Sequence, residues 1–196
     1  MTIEHYKASD LTTTNWSGGT TTQLAIYPKD ANYKNIDFLF RISTATVETE
    51  QSIFTKLPSV SRKLMILDGK IKIEHTNRHT KNLKKFEQDE FLGNWDTKSY
   101  GKAIDFNLMT TGNINGEIEA ITLKDTKTII LNKEVKCFTF YFYYGTAKLS
   151  INNKSYKIST KDFFMIFPEK ENFLLELSSS EECQIIITEI IVKKKP

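Results

Sequence analysis

Arginine is scarce in this chain. Of its 27 basic residues only three, Arg41, Arg62 and Arg78, are arginine, and the rest are lysine. Cysteine is scarcer still. Cys137 and Cys183 both lie in apolar, strand-like segments, which excludes a disulfide scaffold and reads as two buried free thiols in a reducing, cytoplasmic compartment. No apolar run approaches the ~20 residues that a membrane-spanning helix needs, and the polar first residues offer no signal-peptide core, so neither a membrane nor a secreted location is expected. Charge excess is also lacking. Twenty-seven basic and 24 acidic residues leave a formal net charge of +3, spread along the chain, which is no footprint for a nucleic acid. Lys193-Lys194-Lys195 reads as a solubilising tail. Histidine numbers only three. His5 is terminal, and His75 and His79 lie in or beside a polar loop after a strand-like alternation, so no metal centre and no cofactor are expected.

Helical periodicity is hard to find as well, and what is present is β. Short alternating segments recur between turn residues. Gln23–Pro28, Phe38–Val47, Arg62–Leu67, Lys70–Glu74, Phe86–Leu92 and Asp105–Met109 read as strands in the first half, with Asp68-Gly69 as a hairpin turn. Gly112–Gly116 reads as the linker. The second half repeats the grammar in Lys136–Tyr143, Lys148–Ile151, Ser155–Ile158, Asp162–Phe167, Phe173–Leu177 and Gln184–Val192, with Gly145 as a turn. The stripe Phe138, Phe140, Phe142, Tyr144 reads as core, with an interface as the alternative. Two like halves of spaced short strands match the jelly roll of the cupins. The expectation is an all-β bicupin, two tandem jelly-roll β-barrels, with residues 1–112 as the first cupin and residues 113–196 as a degenerate second one.

Parity along the strand at 38–47 puts Arg41, Ser43, Ala45 and Val47 on one face and Phe38, Phe40 and Ile42 on the other; Asp105, Asn107 and Met109 share a face in the same way. In metal-binding cupins, histidines and a glutamate stand at fixed spacing ahead of a glycine and converge on one ion. Seven residues before Gly69 this chain has Arg62, and Phe54–Pro58 occupies the place of the histidines. The second half has Phe138 seven residues before Gly145 and Phe173 where the later histidine would stand. Both metal sites are therefore expected to be lost, and a fixed cation replaces a metal-binding carboxylate. A desolvated guanidinium demands a partner. Asp105 could be that partner, or a ligand anion could be.

One further stretch stands out, Asn15-Trp16-Ser17-Gly18-Gly19-Thr20-Thr21-Thr22-Gln23. Adjacent glycines allow a tight, shaped loop. It is either a hairpin turn with a buried tryptophan or the edge of a pocket.

Taken together, Trp16-x-x-Gly19-Thr20-x-x-Gln23, Arg41-Ile42-Ser43-x-Ala45, Phe54-x-x-Leu57-Pro58-x-x-x-Arg62, Leu67-x-Gly69 and Asp105-Phe106-Asn107-x-Met109 resemble the HutD/Ves family of bicupins. The chain departs from the pattern at Ser59, where a glycine usually follows the proline. The resemblance implies a small cytoplasmic protein that binds a pathway metabolite such as formylglutamate, with a regulatory role in histidine utilisation or a stress response. The expected ligand site comprises Arg62, Arg41, Ser43, Asn107, Asp105, Trp16, Gly19, Thr20 and Gln23, and its partner is a small anionic metabolite. A cupin enzyme, isomerase or hydrolase, on a similar anion is the alternative, and homodimer formation stays open.

Overall fold

The computed structural model describes residues 1–169 and 171–193; most of the lysine-rich tail therefore lies outside the described residues. The chain is all-β, with eighteen strands and two single-turn helices among those residues. In order they are β1 (Thr2–Tyr6), β2 (Thr12–Trp16), β3 (Gly19–Tyr27), β4 (Phe40–Val47), β5 (Gln51–Ile53), β6 (Val60–His75), β7 (Thr80–Lys84), β8 (Gln88–Leu92), β9 (Thr97–Tyr100) and β10 (Ala103–Thr111). These are followed by β11 (Ile114–Leu123), β12 (Thr126–Leu131), β13 (Cys137–Tyr144), β14 (Ala147–Ile151), β15 (Lys154–Ile158), β16 (Phe163–Phe167), β17 (Phe173–Ser178) and β18 (Cys183–Val192). No helix is long and apolar enough to cross a membrane.

Two compact units result. One is Thr12–Ile114; the other combines Met1–Leu11 with the chain from Asn115 onward. The expected division at 112/113 is thus corrected at both ends. The first strand does not belong with the residues that follow it, because β1 pairs antiparallel with β16 along its full length, Thr2 opposite Phe167 through Tyr6 opposite Phe163. The expected linker shrinks to a turn, since β11 begins at Ile114.

In the second unit the sheet β1-β16-β13-β18-β11 and the sheet β12-β17-β14-β15 share one core. Phe138, Phe140 and Phe142 fill it, as their alternation requires, whereas Tyr144 is exposed. Cys137 and Cys183 are buried free thiols, as expected.

The unit 12–114 is a nine-stranded sheet in the order β2-β3-β4-β10-β6-β9-β5, with β7 and β8 also paired to β6. Its key element differs from the expectation: Asp68-Gly69 is not a hairpin turn. β6 continues through it for 16 residues. Residues up to Gly69 pair with β10, and from Lys70 onward the strand pairs with β7 and β9. Gly69 has φ +80, and a Cβ there would sit 2.5 Å from the Lys102 carbonyl oxygen. The glycine therefore permits a change of partners within one strand.

Candidate functional site

Four adjacent antiparallel strands, β3, β4, β10 and β6, place the polar residues. Their register sets Arg41 opposite Met109 and Met109 opposite Arg62. Two residues along, Gln23, Ser43, Asn107 and Leu64 form the next row. Two further along come Thr21, Ala45, Asp105 and Ile66. Steps of two keep all three rows on one face. That face lines a cavity of about 340 Å³, with Trp16, Tyr33 and Phe54 contributing walls. The volume lies at the small end of ligand pockets, which suits a metabolite rather than a nucleotide or peptide.

Arg62 is 5% exposed. Its guanidinium lies 4.8 Å from the centre of the Phe54 ring and 5.2 Å from that of Phe91. Its Nε has no hydrogen-bond partner, and among the described residues no carboxylate pairs with it. Burial lowers its pKa to about 10, so it stays charged at neutral pH. Arg41 is held by neutral groups: Nε donates to Gln23 Oε1 at 2.9 Å, an NH group donates to Ser43 Oγ at 3.1 Å, and the guanidinium lies 4.4 Å from the Tyr33 ring centre. Burial lowers its pKa as well.

Asp105 is the one buried carboxyl on this wall, 7% exposed. Burial pushes it up to about 7, against the pull of the Arg62 charge and the Ala45 N–H. It does not close an ion pair with Arg62; the two interact through space. Asn107 Oδ1 is buried without a partner. Unpaired buried polar atoms cost about 1–3 kcal/mol each, so this wall holds polar capacity that the protein itself leaves unused.

Six of the nine expected site residues line the cavity: Trp16, Arg41, Ser43, Arg62, Asp105 and Asn107. Gln23 acts one step back, by holding Arg41. Gly19 and Thr20 are corrections. Thr20 stands opposite Thr46 on the other face of the sheet, and Thr21 takes the cavity position. Gly19, at φ +149, serves packing: a Cβ there would run into the Thr46 carbonyl oxygen. Trp16 is a rim residue rather than a core plug, at 38% exposure. Ser59, in place of the family glycine, still takes φ +65, so the loop before Arg62 keeps a left-handed bend despite its side chain. Tyr33, in a single turn after an irregular loop, carried no signal in the sequence. His75 and His79 were set aside in the sequence as loop residues, but His75 is buried at the end of β6 and meets His79 and Asp89, a partner the sequence did not suggest.

The HutD family model matches residues 8–186. The chain belongs to the HutD family. Solved structures agree in fold. A conserved protein of unknown function from Pseudomonas aeruginosa PAO1 superposes with a TM-score of 0.86 at 15% identity, covering 97% of this chain and 100% of that one. HutD from Pseudomonas fluorescens SBW25 (formate condition) gives 0.73 at 15% identity, with 98% and 100% covered. Oxalate decarboxylase from Bacillus subtilis, a cupin with Mn(II) centres, gives 0.69 at 6% identity, with 98% and 78% covered. Among curated proteins none matches the sequence.

A cupin-type metal does not fit this HutD cavity. Its donors are one carboxyl with a pKa near 7, one amide and a few hydroxyls, facing two fixed guanidinium charges that repel a divalent cation.

Proposed function

We propose that this HutD protein binds a small carboxylate metabolite of the formylglutamate type in the cavity of the unit 12–114, without turning it over, as a regulator in histidine utilisation or a related response. In the same reading each unit is a jelly roll, the molecule is a bicupin, and it works in the cytoplasm. The observation that carries the proposal is Arg62, a buried guanidinium facing a cavity with no carboxylate paired to it. A ligand carboxylate supplies the missing charge through bonds of about 1.5–3 kcal/mol each. Arg41 offers a second cation for a second carboxylate, and Asn107 Oδ1 offers an acceptor for an amide N–H. An N-acylated dicarboxylic amino acid presents that combination of groups.

A thermal-shift series with formylglutamate, urocanate, glutamate and simple dicarboxylates tests this. At millimolar ligand the wild type is expected to gain several degrees with the best anion, and Arg62→Met to gain none. If no anion raises the melting temperature, or the variant responds like the wild type, the proposal fails.

One observation favours an enzyme as the second reading. Asp105 has a pKa near 7 inside a ligand-sized cavity, which is where a general acid or base works. Turnover of any bound anion that disappears in Asp105→Asn while binding persists would select that reading.

A further inference from the structure

Outside the cavity, the same unit contains a second constellation. β6 ends at His75 and the chain turns back into β7 through Thr76-Asn77-Arg78-His79. Asn77 takes φ +60, the His75 N–H donates to the His79 carbonyl at 2.9 Å, and the Arg78 N–H donates to the His75 carbonyl at 3.0 Å. This tight turn sets the two imidazoles beside each other, ring centres 4.6 Å apart. From β8, Asp89 brings its carboxylate between them. Oδ2 lies 2.9 Å from His75 Nε2 and 2.9 Å from His79 Nε2, and Oδ1 lies 3.2 Å from His79 Nε2.

We propose that His75, His79 and Asp89 form a binding site for a borderline divalent cation of the zinc class. Two imidazole nitrogens and a carboxylate oxygen are the donors such ions prefer, and all three lie within 4.8 Å of one another. Donors around a tetrahedral ion with bonds of about 2.0–2.1 Å are separated by roughly 3.3 Å, so each 2.9 Å nitrogen–oxygen separation needs to open by only a few tenths of an ångström.

The surroundings suit that role. His75 Nδ1 lies 2.8 Å from Thr97 Oγ1. A hydroxyl both donates and accepts, so His75 can move its proton to Nδ1 and free Nε2 for a metal without losing this bond. Phe91 and Trp95 wall the inner side, with ring centres 4.6 and 5.3 Å from His75. Phe91 also separates the cluster from Arg62. The His79 side chain is 36% exposed, which leaves an entry path and room for water to complete the coordination.

Lys81 identifies what the site now holds. Its ammonium lies 2.5 Å from Asp89 Oδ1, and its side chain is about half exposed. A monovalent cation on a flexible stem occupies the carboxylate that a divalent ion would take. Metal and Lys81 therefore compete for Asp89, and that competition distinguishes a metal site from an ion cluster that merely braces the turn.

The test uses the full chain, stripped with a chelator and titrated with Zn²⁺ alone by calorimetry, with Co²⁺ absorption reporting the geometry. The wild type is expected to bind one Zn²⁺ per chain and to give the intense visible bands of tetrahedral Co²⁺. His79→Gln, at a partly exposed turn position that folding tolerates, is expected to weaken binding at least tenfold. Lys81→Met is expected to tighten it several-fold. Absence of saturable binding in both the wild type and Lys81→Met overturns the proposal, as does a His79→Gln protein that binds like the wild type. Since neither variant touches the cavity, the outcome is independent of the anion-binding reading.

Discussion

At the scale of single residues, Asp105 makes the cavity respond to pH. Its carboxyl is raised from 3.8 to about 7, chiefly by burial. Between those values the folded chain holds a proton that the unfolded chain has released, so stability falls as pH rises through the interval and levels off above it. Asp105→Asn removes that dependence. Urea unfolding at about pH 4.5 and about pH 7.5 should show the wild type losing stability relative to the variant as pH rises, with the difference confined to this window. Anion affinity should follow the same group. Below 7 the neutral carboxyl leaves two guanidinium charges uncompensated, and above 7 a carboxylate competes with the ligand for Arg62. Binding should weaken through 7 in the wild type and stay flat in Asp105→Asn; a flat wild-type profile would contradict the assignment.

Residues of this kind differed in how far the sequence revealed them. Arg62 was legible because a planar cation at a metal-ligand position is conspicuous in a lysine-dominated chain, and strand parity was enough to put Ser43 with Arg41 and Asn107 with Asp105. Thr20 was misassigned because residues 19–22 were read as loop, whereas β3 already begins at Gly19 and its pairing with β4 puts Thr20 and Thr21 on opposite faces. A one-residue error there moves a side chain to the opposite face. The His75 cluster was set aside for another reason. Asp89 reaches it from a different strand, and nothing in local spacing reports a contact made through the tertiary fold.

At the scale of elements, β6 shows why a glycine flanked by alternating segments is ambiguous. Asp-Gly between two apolar runs is a strong hairpin signal, yet here the same dipeptide carries one strand from one set of partners to another. Gly145 does comparable work between β13 and β14, at φ +86 and with a Cβ that would approach the Glu182 carbonyl oxygen to 2.5 Å. Gly69→Ala should cost about 2–4 kcal/mol, combining a left-handed backbone penalty of roughly 1–2 kcal/mol with a collision against the Lys102 carbonyl. Gly112→Ala is the matched control. It has φ +61 with nothing within 4 Å of a new Cβ, so only the backbone part should appear. Equal losses in the two variants, measured by chemical denaturation, would mean that the close approach at Gly69 carries no weight. Strand positions were otherwise well marked by alternation. β1, β2, β5, β7 and β9 escaped because short polar strands have no apolar face to declare them; β11, its start read as linker, and β12 escaped although Ile118, Ile121, Leu123 and Leu131 are buried.

At the scale of the whole molecule, the chain's first strand is stitched into a unit whose other residues begin more than a hundred positions later, and the stitching centres on Asp162. This buried carboxylate accepts from Lys7 Nζ at 2.8 Å, the Ala8 N–H at 3.3 Å and the Ser159 N–H at 3.1 Å, and lies 3.2 Å from His5 Nε2. Burial alone would raise its pKa, but the Lys7, Ser159 and His5 contacts outweigh that and hold it below the ordinary value. No sequence pattern links residues 5–8 to residue 162, since the contact follows only from β1 lying against β16. Asp162→Ala leaves those donors without their acceptor and should destabilise the unit by about 2–4 kcal/mol, the range for dismantling a buried hydrogen-bond network. Hydrogen exchange locates the loss. Amides of β1 and β16 should lose protection first, while β4 and β10, which carry the cavity wall, should keep theirs at low denaturant. If protection fell equally in both units, the chain would unfold as one cooperative block, and the division at residues 11/12 and 114/115 would have no energetic meaning. If β1 alone retained its protection, its attachment would rest on backbone pairing, with Asp162 contributing little.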